Sequence, residues 1–137
     1  MKICISSKGK DLDAVVDQRF GRCQYFLIVD TDTMKVKTIS NEAILSSGGA
    51  GIQAAQIVTK EEVSSVITGN IGPNAFSILK AAGIKIYTGV IGTIKDAIDN
   101  YKNGNLKETG SANVESHSGL GGKNLWKYVS QLWITKV

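Results

Sequence analysis

Hydrophobic positions along the chain fall into two periods. From Lys2 to Ser7, Ile3 and Ile5 alternate with Lys2, Cys4 and Ser6, which predicts a short strand. A polar segment from Lys8 to Arg22 follows. Then comes Tyr25 to Asp30 (YFLIVD), a nearly continuous apolar run that reads as a strand buried on both faces. Thr31, Asp32 and Thr33 make a turn, after which Val36 to Ser40 alternates again, so these two strands form a hairpin. Beyond it the period lengthens. Gly51 to Lys60 places Ile52, Ala55 and Val58 on one helical face, after the small-residue stretch Ser46 to Ala50. Val63 to Thr68 is strand-like, and Ala75 to Ala82 is a helix with Pro73 in its first turn and Gly83 at its cap. Ile84 to Thr88 is a further buried strand. Thr93 opens a last helix through Tyr101, with Asp96 where a capping box usually has Glu.

The element order is β-β-β-α-β-α-β-α. Such alternation predicts an α/β fold with parallel strands joined by right-handed crossovers, the hairpin adding an antiparallel edge to a mixed sheet of about five strands. This domain takes residues 1–110. Residues 111–137 differ in character: Ser111 to Asn124 is small and polar, as a linker is, whereas Leu125 to Val137 sets Trp126 and Trp133 on one face if helical. That segment reads as packing back onto the domain or a neighbouring subunit, or as docking to a protein partner.

Composition narrows the picture. A chain of 137 residues buries roughly 68% of its unfolded surface and needs no disulfide or metal merely to fold. With 42% hydrophobic and 20% charged residues it is neither disordered nor repetitive. Its apolar runs are far shorter than the roughly 20 residues of a membrane span, and no secretory h-region opens the chain, so the expected setting is cytoplasmic, without a membrane partner. The net charge of +4 comes from 16 basic and 12 acidic residues without a basic stripe. The two arginines, Arg19 and Arg22, stand together in one loop, which argues against a nucleic-acid partner. Cys4 and Cys23 belong to no C-x-x-C pair, which excludes a zinc ribbon or a thioredoxin motif and leaves two free thiols.

Candidate chemistry lies in three glycine-rich turns, Ser46 to Gly51, Gly69 to Asn74 and Gly89 to Thr93, each before a helix. In a parallel sheet such turns gather at one edge, and free N–H groups at helix starts attract anions. Gly48, Gly49, Gly51, Asn70, Gly72 and Asn74 are therefore candidate cofactor-binding positions. Each helix start contributes about 0.3–2 kcal/mol, so the starts alone reach roughly millimolar affinity. Gly49 to Ala54 matches the dinucleotide fingerprint G-x-G-x-x-A, yet Asn70 stands near the place of the required acidic residue, and no G-K-[ST] follows for a P-loop. The missing attraction is expected from Asp17 to Phe26 (DQRFGRCQYF), where Arg19 and Arg22 flank Cys23, whose thiol would be acidified by the guanidinium groups and so suited to metal. His117, the single histidine, is the other candidate metal ligand. Asp11, Asp13, Asp17, Asp30 and Asp32 read as solvated turn residues.

Four motifs in order, RFGRCQYF, GGAGIQAAQ, TGNIGPNAF and LKAAGIKIYTG, give the chain a further likeness. From Met1 to about Leu106 it resembles the dinitrogenase iron-molybdenum cofactor biosynthesis family, the NifX-like group that also forms the C-terminal region of NifB. The resemblance implies a ribonuclease-H-like fold with sheet order 3-2-1-4-5. It also implies a non-catalytic carrier or storage role for an iron-sulfur or iron-molybdenum cluster, or for a thiometallate precursor. Where the family often has a small residue and proline after Gly-Arg, this chain has Cys23-Gln24, and only His117 stands in place of the His-rich tails of many members. Ribonuclease H chemistry is not implied, because the two strands that would hold its metal-binding carboxylates, KICISS and VSSVIT, contain no acid. The alternative is an interaction module acting through Trp126 and Trp133, by self-association or with a protein partner, without a cluster.

Overall fold

The computed structural model describes residues 1–45 and 48–113. Five strands, β1 (Lys2–Ser7), β2 (Tyr25–Asp30), β3 (Val36–Ser40), β4 (Ser65–Ile67) and β5 (Lys85–Tyr87), form one sheet in the order β3-β2-β1-β4-β5. β2 runs antiparallel to β1 and β3, whereas β4 is parallel to β1 and β5 parallel to β4. Four of the five strands therefore point the same way, and β1, β3, β4 and β5 all end at one edge. The α/β class, the mixed sheet and its order agree with the reading of the sequence, and β1 and β4 carry no carboxylate.

Three helices cover the sheet: α1 (Ala50–Thr59), α2 (Pro73–Ala81) and α3 (Ile94–Lys102). One core joins Cys4, Phe26, Ile28 and Val66 of the sheet to Ala54, Ala55 and Val58 of α1 and to Ala75 and Leu79 of α2. A second core, on the opposite face, joins Ile3, Ile5, Leu27, Val29 and Ile67 to Ile94, Ala97 and Ile98 of α3. The central strands β1 and β2 thus bury both faces, which explains the near-continuous apolar run of β2, whereas β1, read as alternating, also buries Cys4 and the polar Ser6 and Ser7. Burying a Leu, Ile or Phe side chain is worth about 1.5–3 kcal/mol, so these two layers dominate the stability.

Two local features depart from the periodicity. A 3-10 turn at Glu42–Leu45 follows β3, where the pattern gave only loop, and β4 and β5 are each three residues long. Hydrogen bonds nevertheless continue past them: Ser64 N–H donates to Lys2 O at 2.9 Å and Thr68 N–H to Tyr87 O at 2.9 Å. The outer edge of β5 is covered by the chain after α3, through Thr109 N–H on Ile86 O at 2.7 Å. Among the described residues no helix is long and apolar enough to cross a membrane.

Candidate functional site

The loop after β1 alternates between anchors and arginines. Phe20 and Cys23 point into the core, and the Phe20 ring packs on Phe26 with centroids 5.3 Å apart. Between these anchors, Arg19 is exposed and Arg22 half-buried. The loop is fastened from three sides. Asn70 N–H donates to Gln18 O at 2.8 Å and Phe20 N–H to Asn70 O at 3.1 Å, so Arg19 bridges to Asn70 as an extra piece of parallel sheet. Buried Asn41 donates its side-chain amide to the carbonyls of Gly21 (3.2 Å) and Cys23 (3.0 Å) and accepts from Ala43 N–H at 3.1 Å. Arg22 Nη1 donates to Ile44 O at 3.2 Å.

Small residues then bring the two helix starts against this loop. A Cβ on Gly21 would lie 3.0 Å from the Gly51 Cα and 3.1 Å from its N, and one on Gly51 would lie 3.6 Å from the Ala75 Cβ. The arginine loop therefore sits directly on the first turn of α1, which sits directly on the first turn of α2. Neither helix start is capped by a side chain: Gly49 precedes α1 with φ +70°, and Gly72 precedes α2, where Pro73 opens the helix. Gly48, Gly49, Asn70 and Asn74 are exposed around this junction. Among the described residues no side chain caps these first turns, and the loop packed on them carries Arg19 and Arg22, which makes the junction electropositive.

The third glycine turn does not join it. The start of α3 lies on the other face of the sheet, and its first N–H groups are already used: Ile94 donates to Ala14 O (2.8 Å), Lys95 to Leu12 O (3.0 Å) and Asp96 to Thr93 Oγ1 (3.1 Å). Thr93 is thus the cap that the sequence indicates, and it closes this terminus to a ligand.

Cys23 requires a correction. Neighbouring arginines suggest an acidified thiol, yet burial pushes it up to about 12, and the negative charge of Asp17 adds to the effect. Its Sγ lies 3.7 Å from the Asn41 amide. Cys4 is likewise raised by burial and then by Cys23. Both thiols are neutral in the fold and ionise more readily once unfolded, so the stability they supply is complete below about pH 9 and falls as the pH rises, for Cys23 between about pH 9 and 12. Cys23 is expected to cost about 1.4 kcal/mol per pH unit in that window. Urea midpoints at pH 8 to 11 should show Cys23→Ala, which lacks one titration, converging on the wild type as the pH rises; parallel curves would refute this.

Asp17 also departs from expectation. It is 1% exposed rather than solvated, and its Oδ1 accepts from Arg19 N–H at 3.0 Å and contacts Arg19 Nε at 3.5 Å. The D-x-R spacing, in which an Asp carboxylate takes the backbone N–H two residues on, was the signal available in the sequence. Asn41 makes the same local turn with Ala43 N–H, but its bonds to Gly21 and Cys23 had no such signal, nor had Asn113. Asn113, in the stretch that reads as linker, accepts from Ile71 N–H at 2.7 Å and donates to Gly69 O (3.2 Å) and Asn70 Oδ1 (3.1 Å), bracing the turn before α2. His117, Trp126 and Trp133 lie outside the described residues. Among the described residues, no group of three or more His, Cys, Asp or Glu side chains gathers to hold a metal ion.

Known proteins share this fold. The apo form of the orange protein from Desulfovibrio gigas superposes with a TM-score of 0.80 and 37% identity, covering 82% of this chain and 95% of that one. A putative NifB protein from Thermotoga gives a TM-score of 0.69 and 40% identity over 78% of this chain and 91% of its own. An uncharacterized protein from Methanocaldococcus jannaschii is 33% identical over 92 residues, 65% of this chain and 78% of that protein. The family model described as dinitrogenase iron-molybdenum cofactor matches residues 1–104, a span that contains the arginine loop and the starts of α1 and α2, and the chain belongs to that family.

Proposed function

We propose that the protein is a non-catalytic carrier for an anionic metal-sulfur cluster of the iron-sulfur or iron-molybdenum kind, or for its thiometallate precursor. The cargo is held where the arginine loop meets α1 and α2. The observation that carries this reading is the contact of Gly21 with Gly51 and of Gly51 with Ala75, which sets Arg19, Arg22 and two helix starts around one junction. Gly48, Gly49, Gly51, Asn70, Gly72 and Asn74 line it as backbone and amide donors. Two helix starts and two charge-assisted guanidinium bonds together supply between about 4 and 10 kcal/mol, which spans millimolar to submicromolar affinity. That range suits a protein that must both hold and surrender its cargo.

In this reading Cys23 is an anchor of the loop rather than a metal ligand, because a buried neutral thiol is a poor nucleophile and a poor donor. A direct bond to metal falls to His117, four residues beyond Asn113, whose side chain is docked on Asn70. We read the ribonuclease-H-like label as one of topology only, and we propose a cytoplasmic setting.

Anaerobically purified protein offered iron, sulfide and tetrathiomolybdate is expected to take up metal stoichiometrically, with charge-transfer bands in the visible spectrum. Cys23→Ala should load to the same level. Absence of uptake by the wild type would sink the carrier reading and leave the Trp126 and Trp133 segment as the leading functional element. Loss of uptake in a folded Cys23→Ala variant would return the thiol to the site.

A further inference from the structure

An anion site should exclude carboxylates from its wall, yet the arginine loop holds a buried carboxylate, Asp17, against Arg19. The Asp17 N–H and C=O are both used in tying the loop to β1: its N–H donates to Ser6 O at 2.9 Å, and its O accepts from Ser6 Oγ at 2.7 Å. Its side chain is only 2% exposed, and its Oδ1 takes both the backbone N–H and the Nε of Arg19. Its charge also opposes ionisation of the Cys23 thiol. The Arg19 side chain is 64% exposed. One of the five guanidinium donors meets Asp17, and the four on the Nη atoms have no partner among the described residues.

The arrangement does two things that pull in opposite directions. Gripping Nε fixes the fork of Arg19, which favours a ligand through reduced loss of side-chain freedom. The carboxylate charge, buried where water screens it poorly, opposes any anion that Arg19 meets. A resident structural partner for Arg19 could have been neutral; a carboxylate imposes a charge penalty that grows in proportion to the ligand's own charge.

Resting on the carrier reading above, we propose that Asp17 is a positioning residue that also limits affinity: it aims Arg19 while weakening the hold on a dianionic thiometallate, so that the cargo leaves readily. Asp17→Asn keeps an oxygen for the Arg19 N–H and Nε and removes only the charge. The test titrates the full chain anaerobically with tetrathiomolybdate, a dianion, and with tetrathioperrhenate, a monoanion of the same tetrahedral shape. Asp17→Asn should bind the dianion roughly tenfold more tightly and release it more slowly, and should bind the monoanion only about threefold more tightly, because the Coulomb penalty is linear in ligand charge.

A merely structural Asp17 would change both anions equally or weaken both. Equal or reduced affinities in Asp17→Asn, with wild-type binding intact, would overturn this inference and spare the carrier reading. Silence of both proteins toward both anions would overturn the two together. Should Asp17→Asn melt too low to titrate, Asp17→Ser, which keeps an oxygen for the Arg19 N–H without the charge, takes its place. A gain that is no larger for the dianion than for the monoanion would refute the proposal.

Discussion

Replacing Gly69 by alanine is expected to destabilise the protein by about 2–5 kcal/mol and to abolish the arrangement of the arginine loop. A Cβ at this position would meet Gln18 Oε1, and its next neighbours would be Gln18 Cδ at 2.6 Å and Gln18 Cα at 2.7 Å. A long side chain can swing aside, but a backbone Cα cannot do so without moving its chain. That chain is the one holding Arg19, since Gln18 O accepts from Asn70 N–H at 2.8 Å and Asn70 O accepts from Phe20 N–H at 3.1 Å. Gly69 O is itself engaged by Gly89 N–H at 2.8 Å, so the glycine cannot retreat easily. Overpacking costs about 1–3 kcal/mol, and each loop hydrogen bond that breaks adds about 0.5–1.5 kcal/mol. Gly110→Ala is the control, because nothing lies within 4 Å of its added Cβ, and it should stay within about 0.5 kcal/mol of the wild type. Urea denaturation of the three proteins decides the matter. A Gly69→Ala midpoint equal to that of Gly110→Ala would mean that the Gln18 to Asn70 zipper is not what holds the loop.

The same zipper shows where reading a sequence succeeds and where it stops. The strand at 25–30 was legible because burial on both faces gives a nearly continuous apolar run, the mostly exposed strand at 36–40 because it alternates after a turn, and the helix starts because Pro73 and Thr93 have local chemistry. Even the gathering of loops at one edge followed from alternation of strands and helices. What periodicity cannot convey is which face of the sheet each helix takes. The Gly89 to Thr93 turn resembled the other two along the chain, yet α3 lies on the opposite face with its first N–H groups consumed by Leu12, Ala14 and Thr93. Burial of single residues was equally hidden. Charge neighbours in sequence made Cys23 look acidified, whereas its position under Phe20 and Asn41 places it in the core, where desolvation wins. Asp17 and Asn41 illustrate the converse: polar residues whose partners are backbone atoms of a loop, 2 and 18 to 20 positions away, leave no periodic trace.

Changing both Arg19 and Arg22 to glutamine is expected to weaken tetrathiomolybdate binding by about 10²–10⁴-fold. The estimate rests on two charge-assisted hydrogen bonds at about 1.5–3 kcal/mol each, converted at 1.4 kcal/mol per tenfold. The fold should survive. Phe20 and Cys23, not the arginines, anchor the loop, and Asn41 continues to hold the carbonyls of Gly21 and Cys23. The Arg22 bond to Ile44 O and the mostly exposed Arg19 pairing with Asp17 contribute about 1–2 kcal/mol together to the stability that is lost, after allowance for solvent. Replacing both arginines with lysine separates charge from geometry. A lysine supplies the charge without the planar fork, so the double lysine variant should regain part of the affinity and show a steeper loss in high salt than the wild type. If the double glutamine variant bound tetrathiomolybdate as well as the wild type, the helix starts would have to carry the whole attraction, and at about 0.3–2 kcal/mol each they are too weak to do so. The junction of α1, α2 and the arginine loop would then not be where the anion sits.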